Sequence, residues 1–160
     1  MFGSRDANTR FYTDITNAKK LFEKIQSDPS FIIDKYAYSE SIESNHIVYK
    51  NAIIADNDRV IFSGDILFNM PSYSSARYLF QENDKILMSI NILLSRSVRD
   101  NSFIIEIRGV VYRETHGREY ERIMRVFDVI SDRIRSTVSS FDGGKISYID
   151  EEIRESARKI

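Results

Sequence analysis

The stretch YERIMRVFDVISDRIRSTVSSF, Tyr120 to Phe141, is the one segment of this chain that is both long and apolar along a single helical stripe. At 3.6 residues per turn, Tyr120, Ile123, Phe127, Ile130, Ile134, Val138 and Phe141 fall on that stripe. Such a helix spans roughly 33 Å, about the width of a small domain. It has to lie against something apolar of similar extent.

The sequence before it supplies that surface. From Ser44 to Glu114 the apolar period is two, the period of strands. NHIVYKNAIIA runs into a polar turn, ADNDR, and then VIFSGDILFNM, where Val60, Phe62, Gly64, Ile66, Phe68 and Met70 share a face. PSYSS leads into a short strand, ARYLFQ, and NDK into ILMSINILLSRSV, where Ile86, Met88, Ile90, Ile92 and Leu94 alternate with Ser89, Asn91 and Ser95. After RDNS, FIIEIRGVVYRE sets Phe103, Ile105, Ile107 and Val111 opposite Glu106 and Arg108. Connections this short join antiparallel neighbours, because a parallel crossover needs a dozen residues or more. Each strand has one apolar and one polar face, so the sheet is covered on one side only. The helix at Tyr120–Phe141 is the cover, and DGG after it is a helix stop.

The first third of the chain reads as a strand at Thr9–Ile15 and a helix over NAKKLFEKIQSD, capped by Thr16 or Asn17. A second short helix opens at Asp28 and Pro29. Past the stop, KISYIDEEIRESARKI reads as a short extended piece and a weak amphipathic helix through Ile149, Ile153, Ala157 and Ile160.

At 160 residues, with only Pro29 and Pro71 as prolines and no linker, the chain is expected to form one domain at 1–141 with a tail at 142–160. A formal net charge of −1 provides no field to draw it to nucleic acid or an acidic membrane. The longest apolar runs fall far short of the roughly 20 residues a membrane-spanning helix needs. The N-terminal residues lack the apolar core of a secretion signal, so a cytoplasmic location is expected. With no cysteine, thiolate chemistry and disulfides are excluded.

The order strand, two short helices, antiparallel strands and one long C-terminal helix resembles the helix-grip fold of the START-like (SRPBCC) superfamily. That group includes birch-pollen-allergen proteins, polyketide cyclases and lipid-transfer domains. ITNAKKLFEKIQSDPSFIIDKY has the helix, Asp-Pro turn and second helix of that superfamily, and the likeness covers roughly residues 9 to 141. A closer similarity is to a group of uncharacterised archaeal START-like proteins. The glycine-rich loop of the pollen-allergen branch is absent, its place taken by ADNDR, so that branch's ligands are not implied.

The resemblance implies an α+β domain in which a curved antiparallel sheet of about six or seven strands wraps the long helix, with an apolar cavity between them. In family members that cavity carries lipids, sterols, hormones or polyketides. Its lining here would be Phe62, Ile66 and Phe68; Met88, Ile90 and Ile92; Phe103, Ile105 and Ile107; and Tyr120, Ile123, Phe127, Ile130 and Ile134. The same residues read equally as a close-packed core. Arg96 and Arg113 break the inward parity near strand ends. They either hold a carboxylate or phosphate head at the pocket mouth or extend into water.

Other chemistry finds little support. His46 and His116 lie far apart with no Glu-x-x-His spacing, so no metal set converges, and no G-x-S-x-G elbow marks a nucleophile. FDGGKIS follows a helix and lacks phosphate-loop spacing, and no cofactor signature is present. Arg118, Arg122, Arg125 and Arg133 form a basic helix face, but Glu121, Asp128 and Asp132 lace it with local ion pairs, so nucleic acid is not the expected partner. The expected function is non-catalytic binding or carriage of an apolar or amphipathic, lipid-like molecule. The alternatives are a cyclase- or hydrolase-type enzyme in the same cavity, with Tyr49 or Tyr120 as candidate groups, and a protein-interaction module with a filled core. Homodimer formation stays open.

Overall fold

The computed structural model describes residues 2–97, 102–112, 117–141 and 152–159. Among them run β1 (Phe2–Thr13), α1 (Ile15–Ser27), a 3₁₀ turn (Pro29–Phe31), β2 (Tyr38–Glu43), β3 (His46–Asp56), β4 (Arg59–Ser72), β5 (Ser75–Glu82), β6 (Lys85–Arg96), β7 (Phe103–Val111), α2 (Gly117–Phe141) and β8 (Glu152–Lys159). The strands form one curved antiparallel sheet in the order β2-β3-β4-β5-β6-β7-β1-β8. The long helix α2 lies in its hollow: the periodicities lead to a helix covering one side of the sheet, and the family resemblance to the α+β helix-grip arrangement seen here.

The middle of the sheet is a meander set by its turns. Asn57-Asp58 joins β3 to β4 and Asn83-Asp84 joins β5 to β6, all four with φ between 50° and 65°. Two left-handed residues in succession match the twist of the strands they connect, and Asn and Asp tolerate that region.

α2 buries Tyr120, Ile123, Phe127, Ile130, Ile134 and Val138, together with Val126 and Ser131 beside the stripe. Phe127 sits on Gly109 of β7, where a β-carbon would fall 2.6 Å from its ring. α1 packs on α2 and on β5 and β7 through Ala18, Leu21, Phe22 and Ile25.

Several local expectations are corrected. α1 starts earlier than the Asn17 or Thr16 cap implies: Asp14 is the cap, its carboxylate accepting the Asn17 N–H at 2.7 Å. The second helix is only the 3₁₀ turn. Ile32 and Ile33 both donate to the Pro29 carbonyl, and the chain is then drawn to the sheet by Asp34 N–H and Lys35 carbonyl bonds to Ile53. β2 escapes the periodicity because all six of its side chains are exposed. Bulges opposite Ile54 and Phe80 reverse two faces, so Ile61 and Leu87 turn inward while Val60 and Ile86 face solvent. The tail segment read as a helix is β8, paired to β1. The DGG stop lies outside the described residues.

Candidate ligand site

The expected lining residues are brought together, but the described geometry leaves little space between them. Ile66, Met88, Ile90, Ile92, Ile105, Ile107, Ile123, Ile130 and Ile134 have no accessible surface, and Phe62 and Phe127 almost none. A side chain without accessible surface borders no space a water could fill. A ligand reaches these residues only by parting them. Tyr120 is buried at the start of α2, and Phe103 is half-buried at the start of β7. Arg96, the cross-strand partner of Phe103, is exposed at the end of β6, while Arg113 and His116 lie outside the described residues.

Space opens at one corner of the grip. A cleft of about 490 Å³ lies between the last turn of α1, the β2–β3 hairpin and the end of β4. Its apolar wall is Ile42, Ile47, Phe68 and Met70, and its polar rim is Gln26, Ser41, Glu43, Ser44 and Asn45. The hairpin turns through Asn45 at φ 69°, and the Asn45 carbonyl accepts the Met70 N–H at 3.3 Å, which ties the hairpin to β4. Ser41 pairs with Ile47, so it shares the inward face with Phe68, the cross-strand partner of Ile47. Among the described residues, Phe68 is the one expected lining residue that reaches this cleft. Arg96 ends β6, two strands from β4, and does not line it.

Behind Phe68 lies an aromatic group. Its ring centroid is 5.0 Å from that of Tyr78, and Tyr49 meets Tyr36 edge-on at the same distance. Burial pushes the Tyr78 and Tyr49 phenols up from their ordinary acidity, so both remain protonated and neutral at physiological pH. Among the described residues, Glu43 is the sole charged group lining the cleft, and its carboxylate stands 3.8 Å from His46 Nδ1.

The basic helix face is engaged elsewhere. Arg122 forms a two-pronged bond to Glu82 and donates to the Ile61 carbonyl; Arg125 pairs with Asp56; Arg133 pairs with Asp34. Asp56 and Glu82 end β3 and β5, and Asp34 lies in the segment between the 3₁₀ turn and β2, so three of the four arginines fasten α2 to the fold. The expected local pairing is seen in Arg135 with Asp132. The rim residues were not found from the sequence: Ser41 to Asn45 lie in a stretch without apolar period, and Gln26 sits on the polar face of the helix read there.

No protein-family profile matches the sequence, and the sequence matches no curated protein. Solved structures do match the fold. The di-domain aromatase/cyclase StfQ of the steffimycin biosynthetic pathway aligns over 85% of this chain with a TM-score of 0.57 and 10% identity. This chain spans only 50% of that protein. The protein XoxI from Bacillus cereus aligns over 85% of this chain and 94% of its own, with a TM-score of 0.51 and 15% identity. A protein from Bacillus thuringiensis aligns over 86% and 98%, with a TM-score of 0.50 and 14% identity. The archaeal likeness finds no support in these structures. What the likenesses share with this chain is architecture: it has an α+β helix-grip fold.

Proposed function

We propose that the protein binds an apolar or amphipathic small molecule without transforming it, and that the ligand enters at the cleft between α1, the β2–β3 hairpin and β4. The observation that carries this reading is the pairing of an apolar wall, Ile47, Phe68 and Met70, with a rim of hydroxyl and amide groups and one carboxylate, Glu43. That combination suits a molecule with an apolar body and a hydrogen-bonding head. The fold likeness to an aromatase/cyclase is consistent with small-molecule binding on such a scaffold. A deeper pose against α2 requires the fully buried seam to part, so the expected lining residues of β6, β7 and α2 are the second layer of the site.

Native mass spectrometry of protein purified from its own cells tests the reading. A retained small molecule is expected, and Ser41→Trp should abolish its retention. Ser41 is an exposed strand residue facing the cleft, so a Trp there fills the cleft without entering the core. Retention unchanged in the Trp variant would overturn the assignment.

A second reading is an interaction module. It draws on the buried seam and on β2, a sheet-edge strand with six exposed side chains, Tyr38 and Ile42 among them. A ligand-free protein that forms a dimer broken by a Pro within β2 would favour it.

A further inference from the structure

On a sheet covered from one side, the outward positions are expected to be polar. One row departs from this at four of its five positions. Val48, Leu67, Leu79, Ser89 and Val110 are successive cross-strand partners from β3 to β7, each set between inward-facing neighbours. They draw a line across the outer face, roughly 19 Å long at about 4.8 Å per strand. At its β3 end lies a cleft of about 240 Å³. Val48, Leu67 and Leu79 form its floor, Ile42 of β2 and the inward pair Ile47 and Phe68 border it, and His46, Asn69 and Arg77 form its polar edge.

The polar edge has one uncommitted member. His46 Nε2 stands 2.6 Å from Asn69 Nδ2, and its Nδ1 stands 3.2 Å from the Ser44 carbonyl, so these two side chains engage each other. Arg77 is exposed and makes no hydrogen bond or ion pair among the described residues. Its row neighbours are the amides Asn69 and Asn91. Of the nearby acids, Glu43 lies against His46 and lines the inner cleft, while Glu40, partner of Val48, shares the outer face at the β2 end of the row, on the far side of Val48 and Leu67 from Arg77, and does not line the cleft.

We propose that this outer cleft is a second binding site, and that it takes an unbranched aliphatic carboxylate. The chain lies on Leu67 and Leu79 and follows the row towards Val110, while Arg77 receives the carboxylate through two parallel N–H donors beside the Asn91 amide. Charge complementarity selects this class: a guanidinium without a partner beside an apolar floor rejects a cationic head. The outer site shares Ile42, Ile47 and Phe68 with the inner cleft but not Val48, Leu79 or Arg77, while Gln26 and Met70 belong to the inner cleft alone.

The test is a titration of the full chain, labelled on its methyl groups and amides, with decanoate, decanol and decyltrimethylammonium, each below its micelle threshold. Saturable shifts at Val48, Leu67 and Leu79 are expected with decanoate. Arg77→Gln should weaken decanoate by about fivefold while decanol changes by less than about twofold, the range of one partly exposed ion pair. Arg77→Lys should restore part of the loss. Equal binding of the ammonium compound, no saturable shift at those three residues, or an unaltered decanoate affinity in Arg77→Gln would each overturn the proposal. Shifts confined to Gln26 and Met70 would overturn it too, yet leave the inner cleft as a ligand site.

Discussion

The ring of Phe127 rests on the backbone of Gly109, at a separation that leaves no room for a single added carbon. This contact sets the distance between the long helix and the sheet. Gly109→Ala should therefore destabilise the protein by about 1–3 kcal/mol, although Ala is the better strand residue. Pairing it with Phe127→Leu should return part of that loss, because the two side chains share one space. Urea unfolding of the four proteins measures the coupling, and additive losses would argue against it.

Arg133 ties α2 to the sheet end more firmly than an exposed ion pair does. Its guanidinium donates to the Ile32 and Ala55 carbonyls at 2.8 Å each and to Asp34 at 3.0 Å, and Asp34 in turn accepts the Ala55 N–H. Arg133→Met should cost about 1–3 kcal/mol, and Arg133→Lys should recover only part, since an ammonium does not reproduce the planar fork. Arg125 is more exposed and pairs at the surface with Asp56, so Arg125→Met should cost less than Arg133→Met. Equal losses at the two positions would refute the distinction.

Asp28 gives the fold an acid-sensitive joint. The Ser30 hydroxyl and then the Ser30 N–H hold its carboxyl below the usual 3.8, with Lys24 adding to the effect and desolvation opposing it. The folded state thus holds this proton less tightly than the unfolded chain. Its contribution is complete above the unfolded value of 3.8 and is lost as the pH falls through the lower folded value. Asp28→Asn keeps a capping side chain but removes the titration. Its stability should fall less steeply than the parent's on acidification, as urea midpoints at neutral and acidic pH would report. Parallel slopes would exclude a role for Asp28.

The bulges make a further expectation about faces. Val60→Lys and Ile86→Lys place charge in solvent and should change stability by less than about 0.5 kcal/mol. Leu87→Lys puts an unpaired charge in the core and should prevent folding or cost at least about 3 kcal/mol. Circular dichroism melts would show the contrast, and a tolerant Leu87 would mean the strand keeps simple alternation.

These positions also mark where the sequence stops being readable. The meander and the α2 stripe were legible because each holds its period for many residues. A bulge adds one residue and inverts every face beyond it, and no composition signal marks Ile61 or Leu87 as the extra one. β2 left no trace, since a strand with six exposed side chains has no apolar face to repeat. Phe68 was legible as an inward residue. Its neighbours across the cleft, Gln26 and Ser41 to Asn45, come from a helix end and a hairpin whose meeting depends on long-range pairing. The seven-residue stripe on α2 was equally compatible with a cavity or a core, because periodicity tells which way side chains point and not how much space they leave.

The strand order carries a consequence for how the protein is made. β1 sits between β7 and β8, so residues 2–13 leave the ribosome long before residues 103–111 and 152–159 exist to pair with them. The hairpins of the meander close as they emerge, through contacts near in sequence, whereas β1 must wait with its hydrogen-bonding edges bare. Nascent chains halted before β7 are the ones that need chaperone protection.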